Sequence, residues 1–177
     1  MPSIHPTSQV GGECELADDV VIGPHCTLMG RVRLGPGVHL LGHVYIQGPV
    51  EIGARTFIYP FTCIGFEPQD VKFTRGVTPT AGVVIGSDCR LREHVTIHAS
   101  TKPDVPTRLG DRVWMMVGSH VAHDCNVGND VTFVNNAGLA GHVHVGDKAT
   151  LAGHAIIHQF VRFGRMAFMS AGSAVST

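Results

Sequence analysis

Two histidines and a carboxylate stand close together in Ser119-His120-Val121-Ala122-His123-Asp124-Cys125-Asn126-Val127-Gly128. Neutral imidazole suits the task of taking a proton near pH 7. A carboxylate beside it keeps one ring nitrogen protonated and turns the other toward substrate. His123 next to Asp124 therefore reads as a general base, matched to a hydroxyl that is a poor nucleophile until deprotonated. Attack of that hydroxyl on an acyl carbonyl builds an oxyanion, which a backbone amide beside a glycine can meet. The chemistry these residues have the parts for is acyl transfer.

What must position them is a repeat. Every sixth residue from Ile4 to Ile64 is a branched aliphatic, and the rhythm resumes at Ile85, Leu91 and Ile97, then runs from Leu109 to Val175. Four residues after each lies a small slot, as in Cys26, Val32, Val113, Ser119, Cys125 and Val131. A period of six fits neither a helix nor a lone alternating strand. It fits a short strand and a tight corner, three times per turn, so that one triangular coil takes about 18 residues and neighbouring coils stack as parallel strands ~4.8 Å apart. The 177 residues make one all-β domain, 1–177, of about ten such coils, each hiding its aliphatics only under its neighbours. Glycine often follows the large aliphatic, as in Ile22-Gly23 and Val127-Gly128, and is expected to supply unusual corner dihedrals. Cys14, Cys26, Cys89 and Cys125 fall in the small slot and read as packing residues; Cys63 lies one position beyond it.

Two segments leave the frame, about 66–84 and 100–108, the second with Pro103 where an aliphatic belongs. Both read as projecting loops, where ligand contacts concentrate on a rigid scaffold. The period also sets columns. Residues 18 apart share one, so His123, Gly141 and Gln159 align, as do Asp124, His142 and Phe160, and Ala122, Ala140 and His158. Gly141, one coil from His123, is the natural oxyanion amide. His98 flanks the start of the second loop. His5, His25, His39, His43, His144 and His154 read as ordinary surface side chains.

Composition narrows the classes. A net charge of -1 carries no basic surplus for nucleic acid. Apolar runs are too short to insert in a membrane. The N-terminal residues lack a signal pattern, and an odd cysteine count without metal-type spacing suits reduced thiols in a cytoplasmic protein. His120 and His123 lie closer than the pair that holds zinc in β-helix carbonic anhydrases, so no metal and no cofactor is expected.

The hexapeptide pattern resembles the left-handed parallel β-helix acyltransferases over nearly the whole chain. The left hand is implied by that resemblance, since the general rule for parallel crossovers gives the opposite one. Within that fold, Gln69-Asp70-Val71-Lys72, Val95-Thr96-Ile97-His98, His120-Val121-Ala122-His123-Asp124-Cys125, Asn135-Asn136, Leu139-Ala140-Gly141-His142-Val143 and His158-Gln159-Phe160 resemble the UDP-N-acetylglucosamine O-acyltransferase family. That family moves a 3-hydroxyacyl chain from acyl carrier protein to the glucosamine 3-hydroxyl, opening lipid A synthesis. The resemblance implies His123 as base with Asp124, and Gly141 as oxyanion donor. It further implies Asp70, His120, His142, His158 and Gln159 on the sugar nucleotide, and His98 and Lys72 at the phosphate or acyl-donor end. Met169, Ser170, Ala171 and Gly172 would bound the acyl-chain pocket, Ala171 setting length. A homotrimer with sites between subunits is implied as well. The family's C-terminal helical domain is absent from this chain, which runs in frame to Thr177, so another subunit or a further domain is expected to cap the last coil. The alternatives are an acetyl-CoA-dependent hexapeptide acetyltransferase and a catalytically silent scaffold.

Overall fold

The computed structural model describes residues 1–176, and it contains strands and turns with no helix among them. The strands are two to four residues long and form three parallel sheets, nine, nine and eight strands deep. The first sheet starts at Ser3–Ile4, the second at Gln9–Val10 and the third at Glu15–Leu16. Register is kept at one residue per hexad, with Val121 beside Leu139 and Leu139 beside Ile157. Slippage by one residue would turn every large aliphatic outward, so the buried slot pins the pairing.

Both inward slots are observed. Ile22, Leu28, Leu34, Leu40, Ile46 and Phe133 are fully buried, as are the small residues Val20, Cys26, Val113 and Ala137. Thr56 and Thr62, small but polar, are also enclosed, and their hydroxyls donate to the carbonyls of Gly86 and Arg92. Ile4 is exposed and Val10, Leu16, Phe163 and Val175 are only half-buried, because no second coil lies over them in this chain. Cys26, Cys89 and Cys125 are buried free thiols. Burial pushes Cys89 up to about 11 and Cys125 up to about 12, as expected of packing residues.

Most glycines that follow an aliphatic play a different part from the one expected of them; Gly65, with φ of 83°, is an exception. The left-handed dihedrals fall two residues later, on side-chain-bearing residues such as His25, Arg55, Arg112, Asp124, His142 and Phe160. At several of these positions glycine is required for space: a Cβ on Gly23 would lie 2.4 Å from the Leu41 carbonyl oxygen, and one on Gly128 2.4 Å from Asp147 Oδ1. Gly23→Ala is therefore expected to lower stability by about 1–3 kcal/mol, the usual cost of overpacking, read from urea denaturation with the m-value unchanged.

Both loops leave the coil at the same corner, between the second and third sheets. The first spans 67–82, because Phe66 still pairs with His98 and the chain rejoins the third sheet at Val83 beside Val50. The second spans 99–106 and rejoins at Thr107, which pairs with Val83. The first loop is thus shorter at both ends than the break in the repeat indicates, and the second starts one residue earlier and ends two earlier, since Val83, Val84 and Thr107 pair in the third sheet. The site residues occupy the coils stacked directly on this corner.

Candidate active site

Asp124 is a corner residue with φ of 59°. This backbone turn lets a residue adjacent in sequence reach the preceding imidazole sideways. His123 Nδ1–H donates to Asp124 Oδ2 at 2.7 Å, leaving Nε2 for substrate. Both side chains are almost completely buried, at 6% and 2% exposure. They lie outside the packed core, whose inward positions here are Val121 and Cys125. Burial alone would raise the Asp124 carboxyl, but hydrogen bonds from Ser100, Thr101 and His123 outweigh it and hold the group below its ordinary range. A carboxylate that stays ionised fixes the neighbouring imidazole as the Nδ1–H tautomer.

Gly141 stacks on His123 as the 18-residue column requires. A Cβ built on Gly141 would lie 2.5 Å from Cε1 and 2.7 Å from Nε2 of the imidazole. The ring therefore occupies the space a side chain at 141 would need, and no other residue leaves room for it. The corner after the third sheet offers a comparison. There, the amides of Ala54, Ser87, Asp111 and Asn129 are each capped by a side-chain oxygen from the next coil, at 2.7–3.0 Å. The equivalent amide of Gly141 donates to no acceptor among the described residues. It is a free donor beside the base.

His142, in the Asp124 column, brings Nε2 to 3.6 Å from Asp124 Oδ2. It stands edge-on to His123 at 5.1 Å and stacks on Phe160 at 4.6 Å and 6°. His120 points outward from the second sheet, and its Nδ1 shares a 2.7 Å hydrogen bond with Thr96 Oγ1. His98 meets His120 edge-on at 4.9 Å, with its Nδ1 buried and unpartnered.

Two clefts meet at His123. One, of about 350 Å³, runs over the second sheet and is lined in part by His120, Gly138, Leu139, Gly141 and Ile156. The other, of about 480 Å³, lies under the first loop, among Asp70, Lys72, His142 and Phe160. Gln69, His123 and Gln159 line both. Within the first loop the Asp70 carboxylate accepts from the Lys72 amide at 2.9 Å, fixing the turn that presents Lys72.

Most of the expected residues thus converge: His123, Asp124, Gly141, His120, His142, Gln159, Asp70 and Lys72, with His98 behind His120. His158 is exposed on the same corner and lines neither cleft in this chain. Met169, Ser170, Ala171 and Gly172 are not brought there. Met169 is 4% exposed and packs inward, while Ser170–Gly172 form the corner between the first and second sheets. Ser100 and Thr101 are site neighbours that motif reading passed over, and Thr96 and Gln69 are neighbours that lay within the quoted segments without an assigned role. His123, Asp124 and His142 also carry ligand-type atoms within 4.8 Å of one another. Of these, His123 Nδ1 is committed to Asp124 Oδ2 by a hydrogen bond, and His142 Nε2 stands 3.6 Å from the same oxygen.

The imidazoles beside the base are held neutral. Burial, then the neighbouring His98, lowers His120 to about 4. Burial is also the leading cause of the lowered values at His98 and His142. Unfolding returns each to its ordinary value. Between that value and about 4 the unfolded chain binds more protons, so this share of stability is complete above ~6.5 and is lost as pH falls toward 4. The urea midpoint is expected to drop between pH 7 and pH 4.5, and to drop less in His120→Gln.

No family model matches the chain. Relatives do. An acyl-[acyl-carrier-protein]–UDP-N-acetylglucosamine O-acyltransferase of Alkalilimnicola ehrlichii is 49% identical over 99% of this chain and 67% of its own length. Its counterpart in Synechocystis is 45% identical over 98% of this chain and 62% of its own length. Among solved structures, the UDP-N-acetylglucosamine acyltransferase of Francisella novicida superposes with a TM-score of 0.93 at 35% identity, covering 97% of this chain and 62% of that one. The acyltransferase of Campylobacter jejuni superposes at 0.91 and 35% identity, over 98% and 67%. The chain spans roughly two thirds of the length of the relatives it matches.

Proposed function

The chain belongs to the family of acyl-[acyl-carrier-protein]–UDP-N-acetylglucosamine O-acyltransferases, and on that premise we propose that the corner around His123 carries the family's reaction, the first acylation of lipid A synthesis. The observation that carries this reading is one arrangement. An imidazole has Nδ1 committed to an ionised carboxylate and Nε2 left for substrate, and it lies against a glycine whose amide lacks an acceptor.

His123 Nε2 takes the proton of the glucosamine 3-hydroxyl as its oxygen attacks the thioester carbonyl of the 3-hydroxyacyl carrier protein. The Gly141 amide donates to the oxyanion that forms. As that intermediate collapses, the C–S bond breaks and the imidazolium returns its proton to the departing thiolate. Asp124 keeps the ring oriented and balances its transient charge. The neutral imidazoles of His120 and His142, together with Gln159 and Asp70, offer donors and acceptors for a sugar nucleotide. Lys72 offers a cation for its phosphates or for the donor's phosphopantetheine, beside His98. The groove over Gly138 and Ile156 offers apolar surface for an acyl chain, running toward the corner of Ser170, Ala171 and Gly172.

A homotrimer fits this reading. The outward positions of the third sheet carry Glu15, Arg33, Glu51, Arg108 and Arg162, with Arg33 bridging Glu15 and Glu51. Those of the second sheet carry no Asp, Glu, Lys or Arg, and include Tyr45 and Ile156. Exposed Phe57, Trp114 and Phe168 lie on the first. An uncharged second sheet, an aromatic first sheet on which Arg90 is the outward charged residue, and a charged third sheet suit three copies around an axis, each site closed by a neighbour. No described helix is long and apolar enough to cross a membrane, and action in the cytoplasm is part of the proposal.

The test offers the protein 3-hydroxyacyl carrier proteins and acetyl-CoA, with UDP-N-acetylglucosamine as acceptor, and identifies products by mass. A 3-O-(3-hydroxyacyl) product is expected. Turnover with acetyl-CoA alone would favour the acetyltransferase, and no turnover with either would favour the scaffold.

A further inference from the structure

The second loop contributes more hydrogen bonds to Asp124 than the base does. Ser100 Oγ donates to Oδ1 at 2.6 Å, the Thr101 amide donates to the same oxygen at 3.1 Å, and Thr101 Oγ1 donates to Oδ2 at 2.7 Å. A fourth contact fixes the backbone, where the Asp124 amide donates to Thr107 Oγ1 at 2.9 Å. Ser100 is fully buried and far from hydroxyl-substrate reach, since Asp124 stands between it and His123. Its own position is set from the first loop: Thr80 Oγ1 donates to the Ser100 carbonyl at 2.5 Å, the Ser100 amide donates to the Gly82 carbonyl, and the Ala81 amide donates to the Lys102 carbonyl at 2.6 Å.

We propose that Ser100 and Thr101 are positioning residues for the acyl transfer, holding the Asp124 carboxylate in the plane and rotation that aim His123 Nε2. Asp124 lies at a corner with left-handed backbone and has one adjacent imidazole to orient. A carboxylate free to rotate about its own side chain would hold that ring in several directions. Three donors on two oxygens leave it one. Groups that orient a ligand or base in this way typically cost 10–100-fold when removed, because reacting atoms misplaced by even ~1 Å lose much of the advantage of proximity. The link to Thr80 makes the first loop, which also presents Asp70 and Lys72, part of the same rigid assembly.

The inference rests on the function proposed above, and the experiment separates the two. Thr101→Val is isosteric and keeps the amide but removes the hydroxyl donor. It is expected to lower kcat by about 10–100-fold, with KM for both substrates within about twofold of wild type and the melting temperature little changed. Thr101→Ser, which restores the hydroxyl, should recover most of the loss. In an Asp124→Asn background, Thr101→Val should add less than about a twofold effect, since a residue that acts through Asp124 has nothing left to position. A second readout needs no turnover: the Nδ1–H proton resonance of His123, followed by NMR, should shift and broaden in Thr101→Val and return in Thr101→Ser. An unmoved resonance, an unchanged kcat in active enzyme, a loss confined to KM, or full additivity with Asp124→Asn would each overturn the proposal. Wild-type protein without turnover would instead overturn the function, while the resonance still decides whether Thr101 positions the imidazole.

Discussion

His123→Ala is expected to lower kcat by about 10²–10⁴-fold, the range for removing a positioned general base, with the coil still folded. The two halves of that expectation have separate grounds. The loss follows from chemistry: the remaining polar groups of the corner are a carboxylate already saturated with donors and imidazoles bonded or turned elsewhere. None has a free basic nitrogen against the Gly141 amide. The intact fold follows from packing, because residue 123 belongs to neither inward slot. The coil is held by Val121 and Cys125 on either side, and Asp124 keeps its bonds from Ser100 and Thr101 when the imidazole is gone. Circular dichroism and the melting temperature should match wild type to within a few degrees while the acyl-transfer assay falls to near its background. Activity that survives the substitution would remove His123 from the mechanism.

The fold was legible because its rule is local. A prism three strands wide admits one large and one small residue per side, so the identity of residue i constrains residue i+6 without reference to any distant contact. Column arithmetic extends that rule to the site, since counting by 18 alone sets His123 against Gly141 and Asp124 against His142. It failed where the period changes. Across the second loop the register is 24 residues, with Thr96 beside His120 and Ile97 beside Val121. Continued to the corner, this brings Ser100 to Asp124. Counting by 18 puts that serine in another column, and a serine-threonine pair in a loop carries no motif of its own. Most of the glycines escape the repeat rule for a related reason. Their place after the aliphatics suggests dihedral freedom, but the tight requirement is the distance to the next coil, which a single turn does not reveal. Ala171 and its neighbours lie on a different corner of the same chain. A single copy therefore does not close an acyl pocket between them and His123, and their assigned role depends on the assembly.

Gly141→Ala should be nearly as damaging as loss of the base, though the residue has no side chain and no charge. Its φ is not among the left-handed ones, so alanine meets no backbone strain there. What it meets is the imidazole. With Cβ 2.5 Å from Cε1 and 2.7 Å from Nε2, well inside van der Waals contact, the ring must move. It cannot move toward the core, which is packed, nor toward Asp124, already at hydrogen-bonding distance. It can only tilt into the clefts, which breaks the 2.7 Å bond to the carboxylate and takes Nε2 away from the Gly141 amide. The amide donor itself is kept, so the loss falls on the displaced base, whose contribution is typically 10²–10⁴-fold, and a decrease in kcat of about 10³-fold is expected. Sugar-nucleotide affinity should fall much less than kcat, because the residues assigned to it keep their places while the tilted ring takes part of the cleft. Binding measured by calorimetry and single-turnover acyl transfer separate the two effects. Because the amide is kept in alanine, a mild decrease would mean that the ring adapts and that His123 tolerates a looser seat than its contact with the glycine implies.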